Sequence, residues 1–259
     1  MMVLRVHGLT LGYGEAEPVL ADLELDVKSA QFASLVGPSG SGKTSVLRAV
    51  TGLQRPQAGV INLAVPREEV GFLFQDDALL PWRSARQNVA LGLRIRGMPK
   101  AAALDQAEAW LSRLGLAGFG DRFPRQLSGG QRKRVAIAQV LALNPRLLLM
   151  DEPFASLDAI VRMRVTQDLL DLVQRNGISV LLVTHDLEEA IALSDVVHVL
   201  SNGPRARILA SRPVPIARPR DLVATRGHAA FAPLLRQLWR DLEGASALEA
   251  APRLEPVAA

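Results

Sequence analysis

The sequence has no cysteine, which excludes disulfides, a catalytic thiol and any cysteine-bound zinc or iron–sulfur centre. Aromatic residues are scarce, at 4%, and Tyr13 is the only tyrosine. Long hydrophobic runs are lacking too. Stretches such as Ile178 to Val183 fall well short of the roughly 18 residues a spanning helix needs. A soluble chain is expected, with membrane association that is peripheral. Met1 to His7 show no charged segment leading into a long apolar core, so no signal peptide is expected. Charge of one sign is not in large excess: 30 Lys and Arg against 26 Asp and Glu leave a net +4. That surplus does not by itself imply nucleic acid, and no nucleic-acid partner is expected.

What is present is the composition of an ordinary globular protein. With 259 residues, 49% hydrophobic and 22% charged, the chain suits one or two domains with a substantial core and is not disordered. Leu20, Leu23, Leu25 and Val27 sit among Asp22, Glu24, Asp26 and Lys28, as in a half-exposed strand. Phe32 to Val36 reads as a short apolar strand, Ser45 to Val50 as a helix with Gly52 as its end cap. Val70 to Phe74 reads as another buried strand. Between about Ser84 and Leu143 the periodicity becomes helical, and Ala103, Ala107, Trp110, Leu111 and Leu114 form a core-facing stripe. A break at Leu127-Ser128-Gly129-Gly130 opens a further helix that Asn144-Pro145 ends. Strands return at Leu147 to Met150 and Val180 to Val183. Short apolar strands separated by helices predict an α/β protein with a mainly parallel sheet covered on both faces. Beyond Gly203, Arg205, Arg207, Arg212, Arg218, Arg220 and Arg226 face one acid, Asp221, and four prolines predict an extended segment.

Three motifs carry chemistry. Gly37-Pro38-Ser39-Gly40-Ser41-Gly42-Lys43-Thr44, followed by Ser45, fits the pattern GxxxxGK[ST] between a strand and a helix. Glycines there let backbone N–H groups turn inward around phosphates at a helix N-terminus. Lys43 would meet the β- and γ-phosphates, and the Thr44 hydroxyl would ligate Mg²⁺. The apolar run Leu147 to Met150 ends in Asp151-Glu152-Pro153, which presents Asp151 at the carboxyl edge of the sheet, where open α/β sheets bind ligands. Asp151 would hold Mg²⁺, and Glu152 would polarise the water that attacks the γ-phosphate. Ser128-Gly129-Gly130-Gln131 forms a second anion-binding helix N-terminus. One nucleotide seldom needs two such ends in one chain. Two chains packed head to tail would use both, each placing Ser128 and Gly130 over the ATP on the other's Lys43 loop.

Together these motifs resemble the ATP-binding cassette (ABC) ATPases, specifically the nucleotide-binding subunits of bacterial importers, over about Val3 to Arg212. The resemblance implies a P-loop fold with an N-terminal antiparallel β subdomain and a helical subdomain inserted at about 84–143. It divides the chain into a cassette at 1–215 and an Arg/Pro-rich tail with a C-terminal helix at 216–259. It also implies roles by motif. Tyr13 would stack on adenine, Gln75 would sense Mg²⁺ and water, Asp158 would link the two sites of a homodimer, and His185 would contact the γ-phosphate. ATP and Mg²⁺ are the implied cofactors. Membrane permease subunits, and indirectly a solute-binding protein, are the implied partners, at the cytoplasmic face of the bacterial inner membrane.

A finer similarity, to nitrate, aliphatic sulfonate and taurine import ATPases, rests on Gln75-Asp76-Asp77-Ala78-Leu79-Leu80-Pro81-Trp82, Asn88 to Leu93 and Met150 to Ala159. Gln131 stands where many of these have Met, and Gln139 where others carry Arg. Leu79 to Trp82 reads equally as a permease contact and as a turn packed inside the helical insertion. Other ABC classes fit less well. DNA-repair members place a long coiled coil between the phosphate loop and the acidic strand, whereas 108 residues without sustained heptads separate Lys43 from Asp151. Translation-type members carry two cassettes, and one phosphate loop is present. Sugar-importer members append a regulatory domain, for which the 74 residues after His185 leave no room.

Overall fold

The computed structural model describes residues 1–14 and 17–247. Two sheets organise it. The smaller is antiparallel, in the order β2-β1-β4, from β1 (Met2–Leu11), β2 (Leu20–Lys28) and β4 (Ala58–Leu63). In β2 the buried leucines Leu20 and Leu23 are three apart, which breaks strict alternation. Asp22, at φ 53°, absorbs the extra residue where the register slips between Leu9 and Leu11, so both leucines stay on the core face.

The larger sheet comprises β3 (Phe32–Val36), β5 (Val70–Leu73), β6 (Leu147–Asp151), β7 (Ser179–Val183), β8 (Val196–Leu200) and β9 (Ile208–Pro213), in the order β5-β6-β7-β3-β8-β9. All neighbouring pairs are parallel except β8 with β9. Every residue of β3, β6 and β7 is buried, as expected for strands covered on both faces. Because β6, β7 and β3 are adjacent, the loops leaving their carboxyl ends open side by side. Those loops carry Glu152, His185 and the Gly37–Lys43 turn.

The helices are α1 (Lys43–Thr51), α2 (Ala85–Ile95), α3 (Lys100–Arg113), α4 (Gly129–Leu141), α5 (Ala159–Asn176), α6 (Leu187–Leu193), α7 (Leu222–Arg226) and α8 (Phe231–Ala247). Helices α2, α3 and α4 form the insertion between β5 and β6. The stripe Ala103, Ala107, Trp110, Leu111 and Leu114 is buried there. Capping boxes at Ser84–Gln87 and Ser128–Gln131 start α2 and α4, each satisfying amides that a helix start leaves unpaired.

Residues 216–247 are not extended throughout, contrary to the proline content, and the remainder of the expected tail at 248–259 lies outside the described residues. They run into α7 and α8, and Val214, Ile216, Leu222, Phe231, Leu234 and Leu238 join the main hydrophobic core. Asp221, the one acid among these arginines, caps α7 by accepting from Val223 N and Ala224 N. The partners of the arginines come from elsewhere in the chain. Arg218 Nη2 lies 2.6 Å from Asp195 Oδ2, Arg220 Nη2 3.3 Å from Asp195 Oδ1, and Arg226 Nε 3.5 Å from Glu188. Arg212 makes two 2.8 Å bonds to Asp241 of α8. Sequence proximity is a poor guide to ion pairing once the chain folds back on itself.

Candidate active site

The Gly37–Lys43 turn leaves β3 and enters α1. Gly42 is the residue before the helix, at φ 92°, and a Cβ on it would lie 2.9 Å from Val19 and Leu20 side-chain atoms. Glycine is therefore required twice over, by dihedral and by space. Lys43 is buried, and its Nζ donates to the Gly37 carbonyl at 2.9 Å and the Pro38 carbonyl at 2.6 Å. Burial pushes the Lys43 ammonium below its ordinary range, while Glu152 and Asp151 oppose that shift. Thr44 Oγ1 donates to Asp151 Oδ1 at 3.0 Å. Burial raises the Asp151 carboxyl above its usual range against the opposing Thr44 hydrogen bond.

A cavity of about 400 Å³ opens on this cluster, lined among others by Tyr13, Ser39, Lys43, Thr44, Arg48 and Glu152. Tyr13 is half exposed at its rim, its hydroxyl 2.9 Å from Ser45 Oγ and 3.3 Å from Gln54 Oε1. Ser41 Oγ is buried in the same turn without a hydrogen-bond partner. A buried cation and a helix N-terminus around one cavity suit a polyphosphate. The Thr44 hydroxyl beside the Asp151 carboxylate is an all-oxygen donor set of the kind a hard divalent cation takes with phosphate. The residues present fit both ATP and Mg²⁺.

Glu152 also lines a second, smaller cavity of about 80 Å³, with Arg162, Thr184, His185, Asp186 and Glu189. His185 Nδ1 lies 3.0 Å from Glu152 Oε2. Glu152 thus forms the wall between the Lys43 cavity and the His185 loop. Its backbone is strained, at φ 41°, and its amide is held by the Val183 carbonyl at 2.9 Å. Non-glycine residues held at positive φ cluster at functional sites. Sequence reasoning missed Arg48, Arg162 and Glu189; Glu189 stands in the first turn of α6, which Asp186 caps directly after His185.

Other predicted residues do not converge here within one chain. Gln75 is exposed in the loop after β5, and among the described residues no hydrogen bond links its side chain to Thr44 or Asp151. Its carbonyl is held instead, by Lys133 Nζ at 2.9 Å. Ser128 and Gln131 satisfy each other at the start of α4, through a 3.3 Å and a 2.9 Å bond, and neither they nor Gly129 and Gly130 line the Lys43 cavity. Gly130 is needed for close packing, since a Cβ there would lie 2.3 Å from Val161 Cγ1. Asp158 caps α5, accepting from Val161 N at 3.0 Å.

A parallel sheet with a phosphate-type turn, a carboxylate pair at its edge and a serine–glycine helix start on an inserted helical layer defines an ATP-binding cassette ATPase. The family model described as ABC transporter matches residues 20–155. The taurine import ATP-binding protein TauB of Yersinia pestis bv. Antiqua is 45% identical over 207 residues, covering 78% of this chain and 81% of that protein. Its namesake from Escherichia coli strain K12 is 43% identical over 221 residues, covering 83% and 86%. Among solved structures, MJ0796, a bacterial ABC transporter cassette in a dimeric structure, superposes with a TM-score of 0.73 at 30% identity. A dimeric post-hydrolysis state of MJ0796 bound to ADP and Pi gives 0.72 at 29%. Each covers 83% of this chain and 100% of the solved one. The chain belongs to the ABC transporter family of ATPases. No helix among its described residues is long and apolar enough to cross a membrane.

Proposed function

We propose that this chain is the ATP-hydrolysing subunit of an importer for a small sulfonate such as taurine, with nitrate and other aliphatic sulfonates as the related alternatives. Extensive identity to two taurine import proteins supports the solute class. It works as a head-to-tail pair at the cytoplasmic face of the membrane, bound to permease subunits that select the solute with a solute-binding protein.

The observation that carries the catalytic reading is Glu152, which lines the Lys43 cavity while bonded to His185. Lys43 and the amides of the Gly37–Thr44 turn bind the β- and γ-phosphates, with Ser45 alongside, and Tyr13 stacks on adenine. Thr44 and Asp151, joined by Gln75, would hold Mg²⁺. That ion would neutralise phosphate charge. Glu152 accepts the proton of the attacking water, and His185 orients the Glu152 carboxylate and reaches toward the γ-phosphate. Ser128, Gly129, Gly130 and Gln131 of the partner close over the same nucleotide, and Asp158 lies at the seam.

The test is ATP turnover by this chain assembled with its cognate permease. Taurine, an alkanesulfonate and nitrate are supplied in turn with the cognate binding protein. Stimulation by taurine or the alkanesulfonate supports the reading. Stimulation by an unrelated solute alone refutes the solute class and leaves the ATPase assignment standing.

A further inference from the structure

Lys133 is the fifth residue of α4 and is completely buried. Its ammonium meets three acceptors: the Gln75 carbonyl at 2.9 Å, the Phe74 carbonyl at 3.4 Å and Asp77 Oδ1 at 3.0 Å. All three belong to the loop that carries Gln75. The other Asp77 oxygen accepts from Arg132 Nε at 3.2 Å, so both carboxylate oxygens are held by consecutive residues of α4. Burying an ammonium is expensive, and an apolar side chain of similar length would fill the same space more cheaply. What the charge adds is a fixed link between the helix that begins at Ser128 and the backbone of Gln75.

We propose that Lys133, anchored by Asp77, is a positioning residue. It makes the loop of Gln75 move as one body with the helix of Ser128 and Gly130. The inference rests on the roles given above to Gln75 and to the Ser128 helix. A displacement of the helical insertion toward a partner's nucleotide would carry Gln75 with it. A Lys133 that lost its charge would leave the nucleotide cavity intact, because none of these residues lines it, and would leave Gln75 without its tether.

The test compares Lys133→Met, Gln75→Ala and the double variant in the full chain. It follows thermal melting, equilibrium ATP binding and steady-state turnover. Lys133→Met is expected to bind ATP as the wild type does and keep KM within about twofold, while kcat falls about tenfold. Gln75→Ala should fall similarly, and the double variant should be no worse than the lower single, because both act through one group. A purely structural role would lower the melting point and KM performance together, or multiply with Gln75→Ala. Either result overturns the proposal, as does wild-type turnover in Lys133→Met with Gln75→Ala impaired. Wild-type turnover in Gln75→Ala refutes the role of Gln75 itself, and the inference with it. Should Lys133→Met fail to fold, Asp77→Asn keeps both carbonyl bonds and weakens the anchor, removing its charge and one of the two oxygens that accept from Lys133 and Arg132. It should lower kcat about threefold without changing ATP binding, and it should not multiply with Gln75→Ala.

Discussion

His185 and Glu152 meet across the carboxyl edge of the sheet, with Nδ1 of one 3.0 Å from Oε2 of the other. They stand on loops that follow β7 and β6, neighbours in the sheet, so the strand order itself creates the pair. Glu152→Gln keeps a hydrogen-bonding group toward His185 and removes the proton acceptor. ATP binding should survive, hydrolysis should fall by about a hundredfold or more, and size-exclusion with ATP should show a dimer accumulating. Hydrolysis near the wild-type rate would remove Glu152 as the base.

Lys43→Ala should fail earlier, at binding. Loss of a charge-assisted phosphate contact is expected to weaken ATP affinity by about tenfold or more. Isothermal titration would measure it. Thermal stability without nucleotide should hold, since burial already disfavours the Lys43 charge. Undiminished affinity would place the phosphates elsewhere.

Ser128 caps α4, so its replacement must spare the helix. Aspartate is an equally good cap, and Ser128→Asp should fold while setting a carboxylate against the partner's nucleotide. Two mixed dimers decide whether the sites are composite. A Lys43→Ala chain paired with a Ser128→Asp chain keeps one intact head-to-tail site. A wild-type chain paired with the double variant keeps none. Turnover in the first and silence in the second is the expected pattern; the reverse would mean each chain hydrolyses ATP alone.

The apolar run at Leu79–Trp82 divides in the fold. Leu79 packs against the main core, whereas Trp82 is 70% exposed. Leu79→Ala should therefore lose about 1–2 kcal/mol of stability in denaturant melts. Trp82→Ala should leave melting and basal turnover unchanged and weaken capture of the cognate permease. Permease binding that is unaffected by Trp82→Ala would remove it from that interface.

Burial pushes the Glu189 carboxyl up to about 7, beside Thr184, Asp186, Arg162 and His185. The folded chain therefore holds a proton that the unfolded chain releases near 4.5. The stability this contributes is complete below that value and is lost as pH rises through about 7. Its ceiling is about 3 kcal/mol. Melting temperature should decline from pH 5 to pH 8, and Glu189→Gln should flatten the decline. A slope unchanged by that substitution would assign the titration to another group.

The phosphate turn, the Asp151-Glu152 edge and the parallel sheet were legible because each is a local pattern. Period, glycine spacing and a strand ending in carboxylates depend on neighbours within a few residues. The Lys133–Asp77 link was not legible. Its partners are 56 positions apart by residue number, and a lysine in a basic helical stretch reads as a solvated face. The ion pairs of Arg212 and Arg218 escaped for the same reason.

By itself, then, the sequence determined the apolar strands of the parallel core, the helical insertion between them and the family, since those follow from backbone preference and short-range spacing. Only the tertiary structure decided which loops share an edge, that Glu152 divides two cavities, that Gln75 is held by its backbone, and that the proline-rich end folds back onto the core. Those outcomes depend on strand order and on burial, which no local window of residues specifies. A lysine or a carboxylate takes its function from what surrounds it, and the surroundings exist only once the chain is folded.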